Sequence, residues 1–252
     1  MDLSLTGRTY VITGASRGLG FAVARALHAE GAAVVLAARD AGPLRAAADA
    51  LGDTRAFAVP IDLADPAAAD LLADAAVERT GRLDGGLANV GGPVMGSALD
   101  LDDDDWRGAF DSAFLGPLRL VRVLAPRLEA GGALAFVLST TVKSPIRGLD
   151  SSNGLRPGLA MLTKSLGDQL GRRGVRINAL LPGRFATERS LQLDQRSPDP
   201  AATRAKSEAA IPLGRYGDPD EFGRVGAFLL SPAASYVTGT CITIDGGNSR
   251  AL

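Results

Sequence analysis

Apolar positions along this chain fall into two alternating rhythms. Seven short runs, at 9–13, 33–37, 56–61, 83–88, 133–139, 175–181 and 241–244, are almost continuously apolar and show no in–out alternation. Strands covered on both faces, as in a parallel sheet, carry this pattern. Between the runs the spacing becomes helical. Trp106, Phe110, Phe114, Leu118, Val121, Leu124 and Leu128 recur at three- and four-residue intervals and share one face. Pro117 and Pro126 interrupt that stretch and are expected to kink or split its helix. The alternation predicts an α/β fold, a doubly wound parallel sheet of about seven strands flanked by helices. No linker, internal repeat or low-complexity tail divides the chain, so residues 1–252 are expected to form a single domain. The rhythm breaks at 184–218, where Pro198, Pro200 and Pro212 fall, and this stretch is expected to act as a substrate lid.

Composition removes several functional classes. With 27 Lys+Arg against 28 Asp+Glu there is no basic excess for a phosphate backbone, and nucleic acid is not an expected partner. The single cysteine, Cys241, excludes an internal disulfide framework and a thiolate metal cluster; it is expected in the core, and no metal site is expected. The single histidine, His28, lies in the first helical stretch and reads as a surface or packing residue. The acidic run at 102–105 ahead of Trp106 reads as a helix start favoured by the dipole. No basic leader followed by an apolar run opens the chain, and no apolar stretch is long enough to span a bilayer. The expectation is a soluble, cytoplasmic protein with no membrane partner.

The first strand runs into Thr13-Gly14-Ala15-Ser16-Arg17-Gly18-Leu19-Gly20, followed by an amphipathic helix. Gly14 suits a tight turn, while Gly18 and Gly20 let backbone approach a pyrophosphate and let helix pack on sheet. The helix N-terminus adds N–H donors and partial positive charge. The second strand ends Ala37-Ala38-Arg39, with no carboxylate before Asp40. Arg39 and Arg17 are two guanidiniums suited to a 2′-phosphate, which favours NADP(H) over NAD(H); the alternative is that both are solvated surface arginines.

The loop is followed in order by Asp62-Leu63, Asn89-Val90-Gly91, Pro182-Gly183, Ile211-Pro212-Leu213-Gly214-Arg215, Ser235-Tyr236-Val237-Thr238-Gly239 and Asp245-Gly246-Gly247. With these motifs the chain resembles, over essentially its whole length, a short-chain dehydrogenase/reductase of the ketoacyl-carrier-protein reductase-like branch. The resemblance implies a Rossmann-like sheet, a dinucleotide cofactor and oxidoreductase activity on a small carbonyl or alcohol. It implies that Gly14, Ser16, Arg17, Gly18, Leu19 and Gly20 cradle the cofactor and that Asp62 and Leu63 flank its adenine. Asn89 and Gly91 would line the ribose side, and Pro182, Gly183, Phe185 and Thr187 the nicotinamide side. It also implies a homodimer or homotetramer formed through the helices at 110–128 and 155–170, the alternative for those faces being intrachain core.

The catalytic positions depart from the family. Ser139 stands where the family's serine orients the carbonyl. Counting back from Leu162-Thr163-Lys164-Ser165-Leu166, the tyrosine position falls on Ser152 and the lysine position on Arg156, and the helper asparagine is replaced by Ala113. The three tyrosines, Tyr10, Tyr216 and Tyr236, are all distant in sequence. A serine hydroxyl is far less acidic than a phenol. Arg156 cannot relay protons, but it can hold a ribose hydroxyl or stabilise an alkoxide. Lys143, on the loop leaving the fifth strand, is the remaining candidate acid, and its alternative is an exposed loop lysine. The leading expectation is an NADPH-dependent carbonyl reductase or alcohol dehydrogenase whose proton donor is not tyrosine. Two alternatives stay open: a dinucleotide-binding regulator or partner subunit, and a non-redox isomerase, dehydratase or cyclase on the same fold.

Overall fold

The computed structural model describes residues 2–52, 54–195 and 197–251; Met1, Asp53, Leu252 and Arg196, the last within the expected lid, lie outside the described residues. The elements run β1 (Thr9–Thr13), α1 (Gly18–Ala29), β2 (Ala33–Ala38), α2 (Ala41–Leu51), β3 (Ala56–Pro60), α3 (Ala68–Thr80) and β4 (Gly85–Ala88). They continue α4 (Asp103–Phe110), α5 (Gly116–Arg127), β5 (Ala133–Val137), α6 (Asp150–Gly171), β6 (Arg176–Pro182), α7 (Glu188–Gln195), α8 (Pro200–Ala209), α9 (Pro219–Leu230) and β7 (Cys241–Ile244).

The strands form one sheet in the order β3-β2-β1-β4-β5-β6-β7, parallel throughout. The chain steps outward from β1 to β3, then returns to β4 on the other side of β1. That reversal opens a crevice at the carboxyl ends of β1 and β4, where ligands of such sheets bind. Alternate strand residues feed two cores. Val11 and Val35 face α3, α5 and α6, whereas Tyr10, Ile12, Val34 and Leu36 face α1, α2 and α9. This two-sided burial is why the strands read as unbroken apolar runs. On the second face α9 lies against α1: a Cβ on Gly223 would sit 2.4 Å from the Ala22 carbonyl oxygen, and one on Gly226 would sit 2.6 Å from Val23.

The helix expected to kink or split at its prolines instead runs on from α4 into α5. Asp111–Leu115 form a π-helical turn between α4 and α5, and Pro117 follows in the first turn of α5, where a missing N–H costs no helical bond. Gly116 passes so close to the loop after β3 that a Cβ there would meet the Leu63 carbonyl oxygen at 2.8 Å. Pro126 stays inside the last turn of α5, and the chain leaves the helix at Leu128. The acidic run caps α4 as expected: Asp102 accepts from the Asp104 and Asp105 N–H groups, and Asp105 accepts from the Asp102 N–H. His28 is buried as a packing residue. Cys241, expected in the core, is half-buried instead, because β7 is the edge strand; its thiol lies 3.9 Å from the Ala160 carbonyl oxygen of α6.

Residues 184–218 carry α7 and α8 over the carboxyl end of the sheet. Buried Asp194 anchors them, accepting from Tyr216 Oη at 3.0 Å and pairing with Arg184 at 3.4 Å. The Tyr216 ring also lies under the guanidiniums of Arg184 and Arg204. Among the described residues no helix is long and apolar enough to cross a membrane.

Candidate functional site

A cleft of about 910 Å³ opens over the β1/β4 switch point. Gly14, Ser16, Arg17, Gly18 and Leu19 line it from the glycine loop, Arg39 from the end of β2, and Asp62 and Leu63 from the end of β3. Asn89 and Gly91 contribute from the end of β4, and Pro182, Gly183, Phe185 and Thr187 from β6 onward. These positions were expected from the sequence, and one cavity brings them together; Gly20 and Arg156, expected with them, are not among its lining residues.

Local bonds hold the cradle open. The Ala15 N–H donates to the Ala37 carbonyl, and Thr13 Oγ1 both donates to the Asn89 carbonyl and accepts from the Asn89 N–H. Asn89 Nδ2 donates to the Gly14 carbonyl at 3.2 Å, so Asn89 clamps the glycine loop to β4 as well as lining the cleft. Gly14 has φ +57°, and a Cβ there would meet Asn89 at 2.7 Å; on Gly20 it would sit 2.4 Å from the Gly14 carbonyl oxygen. Only glycine keeps this turn tight enough to bring the α1 N-terminus to the cleft. A cradle of bare backbone at a helix N-terminus fits a pyrophosphate. At the β2 end, half-buried Ala38 leaves no acidic side chain, and exposed Arg39 follows it. Arg17 is ion-paired with Glu188 of α7 at 2.8 Å, tying the glycine loop to the segment above it.

The catalytic candidates gather at the end of β5, and none of Ser139, Ser152, Arg156 and Lys143 is among the residues that line the cleft. In the sheet β5 lies between β4 and β6, so its end falls between Asn89–Gly91 on one side and Pro182-Gly183 on the other. Ser139 is there, beginning a single 3-10 turn whose Thr141 N–H donates to Ser139 Oγ at 3.1 Å. Thr141 is buried, and its Oγ1 lies 3.2 Å from Oγ of buried Ser152 on α6. The Thr141 and Ser152 hydroxyls thus form a hydrogen-bonded pair, while Ser139 Oγ is bonded to the Thr141 main chain.

One turn further along α6, Arg156 is buried, and its Nη1 donates to the Val137 and Leu138 carbonyls at the end of β5. Burial, and then the charge of Arg189, push its guanidinium down to about 10. The π turn carries buried Ala113, while neighbouring Ser112 lines the cleft.

Lys143 closes the 3-10 turn, half-buried, and its charge acts on the Cys241 thiol together with that of Lys164. That thiol lies against α6, and Lys143 is absent from the cleft lining. None of the tyrosines enters the site. Tyr10 is buried in β1 donating to the Leu230 carbonyl, Tyr216 is engaged with Asp194, and Tyr236 is fully exposed.

Sequence reasoning passed over Thr141 and Arg189. Thr141 had a signal in its position two residues past Ser139. Arg189 had none, because it reaches the cleft from α7, where its Nη1 donates to the Gly92 carbonyl at 3.4 Å.

Residues 14–249 match the family described as enoyl-(acyl carrier protein) reductase. A solved short-chain dehydrogenase/reductase from Serratia marcescens is similar over 97% of this chain and 99% of its own, at 30% identity and a TM-score of 0.88. This chain belongs to the short-chain dehydrogenase/reductase family. A galactitol 2-dehydrogenase (L-tagatose-forming) of Cereibacter sphaeroides is 34% identical over 247 residues, covering 96% of this chain and 95% of that one. The structure of an L-sorbose reductase from Gluconobacter frateurii, complexed with NADPH and L-sorbose, covers both chains completely at a TM-score of 0.95 and 27% identity. The chain is thus an oxidoreductase of this family, and its fold and cleft are those of a protein that binds a nicotinamide dinucleotide.

Proposed function

We propose that the protein is an NADPH-dependent carbonyl reductase, running also as an alcohol dehydrogenase, whose proton leaves from a serine–threonine pair instead of a tyrosine. The observation that carries the cofactor choice is the end of β2: Ala38 offers no carboxylate, and Arg39 and Arg17 both line the cleft. The NADPH held by the sorbose reductase supports the same choice. When bound, the nicotinamide supplies a hydride to a carbonyl carbon. In this reading Ser139 Oγ orients the carbonyl oxygen, Ser152 Oγ donates the proton and regains one from bulk solvent through water, and Thr141 Oγ1 is its hydrogen-bond partner. Arg156 adds a fixed positive charge that favours the developing alkoxide. Lys143 is the reserve donor. Residues 184–218 form the lid over the substrate within the single domain.

The setting is a soluble cytoplasmic enzyme with no nucleic-acid, membrane or metal partner. It assembles as a homodimer or homotetramer. Partly exposed Phe110, stacked on Phe114, and exposed Met161 of α6 support assembly through the α4–α6 face.

One observation favours a second reading. No acid within the hydroxyl pair matches a phenol, which suits a dinucleotide-binding regulator or partner subunit, or a non-redox isomerase, dehydratase or cyclase. Titration with NADPH and NADH, followed by oxidation against ketones, sugars and quinones, separates the two. Tight NADPH binding with turnover upholds the reductase, and tight binding without turnover on any carbonyl overturns it.

A further inference from the structure

The start of α7 lies across the cofactor cleft. Thr187 Cγ2 is 3.7 Å from where a Cβ on Gly18 would stand, so that side chain covers the glycine loop. Next to it, Glu188 Oε2 accepts from Arg17 Nη1 at 2.8 Å. Arg189 Nη1 then donates to the Gly92 carbonyl at 3.4 Å, and Gly92 leaves no room for a Cβ beside that guanidinium. Consecutive residues thus reach the loop after β1 and the loop after β4, the two sides of the crevice.

The segment is anchored at both ends by buried groups. Ahead of it, buried Phe185 packs edge-on against Phe222 of α9 at 5.5 Å between ring centroids, and the Ala186 N–H donates to the Gly217 carbonyl. Behind it, buried Asp194 accepts from Tyr216 Oη. Residues 187–193 form a strap between these anchors, and its Arg17–Glu188 pair is open to water, with the side chains 65% and 55% exposed. A segment held by exposed contacts is among the first to open locally. Arg17 also lines the cleft with Arg39, as one of the two guanidiniums that the cofactor reading gives to the 2′-phosphate. Two anions therefore compete for one side chain. A phosphate monoester carries about two negative charges at neutral pH, offers several oxygens to a guanidinium, and repels a carboxylate held on the same group. Of the two, the phosphate is the stronger partner.

We propose that Glu188 couples the identity of the cofactor to the covering of the cleft: the 2′-phosphate of NADPH displaces Glu188 from Arg17 and loosens the first turn of α7, whereas NADH leaves that pair in place. This rests on the NADPH reading and adds a second level of selection to it. Arg39 and Arg17 choose the nucleotide, and Glu188 sets how readily the strap above it opens to a substrate.

Amide hydrogen exchange tests this without turnover. The Ser190 N–H donates to Thr187 Oγ1 at 3.3 Å and the Leu191 N–H to the Thr187 carbonyl at 3.0 Å, so these amides exchange when the first turn opens. Exchange is followed by mass spectrometry in peptides covering 187–195, with the protein saturated with NADPH or with NADH. Both nucleotides lie under the strap, and the difference between them isolates the phosphate. NADPH is expected to give about two- to fivefold faster exchange than NADH, the range that loss of an exposed ion pair supports. Glu188→Gln, at an exposed side chain, should abolish the difference by raising the NADH-bound rate to the NADPH-bound one.

Equal exchange with the two nucleotides, slower exchange with NADPH, or a difference that survives Glu188→Gln overturns the inference. If NADPH then still binds more tightly than NADH and Arg39→Ala reduces that preference, the cofactor reading stands alone. No preference for NADPH, with Arg39→Ala silent, sinks the cofactor reading and takes the inference with it.

Discussion

Glu188→Gln and Arg39→Ala are expected to move NADPH affinity in opposite directions and to leave NADH affinity where it was. Arg17 is paired to Glu188 at 2.8 Å, with the two side chains 65% and 55% exposed. A pair so open to water contributes about 0.2–1 kcal/mol. Arg17 has to give up that contact before it can turn to a 2′-phosphate, so Glu188→Gln should tighten NADPH about two- to fivefold. Arg39 has the reverse role. A hydrogen bond to a charged group is worth about 1.5–3 kcal/mol when dry, and an exposed guanidinium retains about 1 kcal/mol of it, so Arg39→Ala should weaken NADPH about fivefold. NADH has no phosphate at that position and should respond to neither change. Nucleotide fluorescence titrations of the wild type and both variants at low and high salt read all of this, and both NADPH effects should shrink as ionic strength rises. Parallel changes in NADPH and NADH would mean that these arginines do not meet the phosphate. A Glu188→Gln variant that binds NADPH less tightly would mean that the Arg17 pair supports the cofactor instead of competing with it.

Breaking the Thr141–Ser152 hydroxyl pair should act on chemistry alone. Thr141→Val removes the partner of Ser152 Oγ, and turnover is expected to fall about 100-fold with the NADPH dissociation constant unchanged, as for loss of a proton-transfer partner; an unaltered rate would exclude this route. Packing of α9 on α1 depends on Gly223, whose Cβ would meet the Ala22 carbonyl oxygen at 2.4 Å, so Gly223→Ala should lower stability by about 1–3 kcal/mol in a urea melt. Glu221, in the capping box of α9, is held down to about 2, first by the Arg215 hydrogen bonds and then by the Asp218 N–H. Because its folded pKa lies below the ordinary 4.5, its contribution is fully present above that value and is lost as pH falls toward about 2. Acid titrations followed by circular dichroism should show that loss in the wild type and a diminished one in Arg215→Met.

The strands were legible because each is buried on both faces, and burial of that kind writes itself into residue type with no need to know the neighbour. Their ends were less so. The ladder outlasts β5 by one bond, from the Leu138 N–H to the Leu180 carbonyl, and where a run stops pairing depends on the strand beside it. A kink or split was read at Pro117 and Pro126 because proline is the breaker a sequence displays. The irregularity is a π turn ahead of Pro117, where Gly116 closely approaches the loop after β3, a long-range contact with no local mark. The cofactor end was legible because its chemistry is contiguous: the loop Thr13–Gly20 carries turn, backbone donors and helix start within eight residues.

The catalytic end is assembled from α6, the turn after β5 and α7, so residue types alone assigned it loosely. Lys143 follows Ser139 by four residues in sequence, yet its charge registers on Cys241 against α6, because a loop position does not fix where a side chain points. Thr141 gains meaning only when α6 brings Ser152 within 3.2 Å. The sequence places a cation at Arg156, but only the fold shows that Nη1 is bound to two β5 carbonyls. A guanidinium held in that way cannot swing toward a reacting oxygen as a flexible ammonium can. It acts as a fixed charge, so the hydroxyls of Ser139 and Ser152 are left to handle the proton.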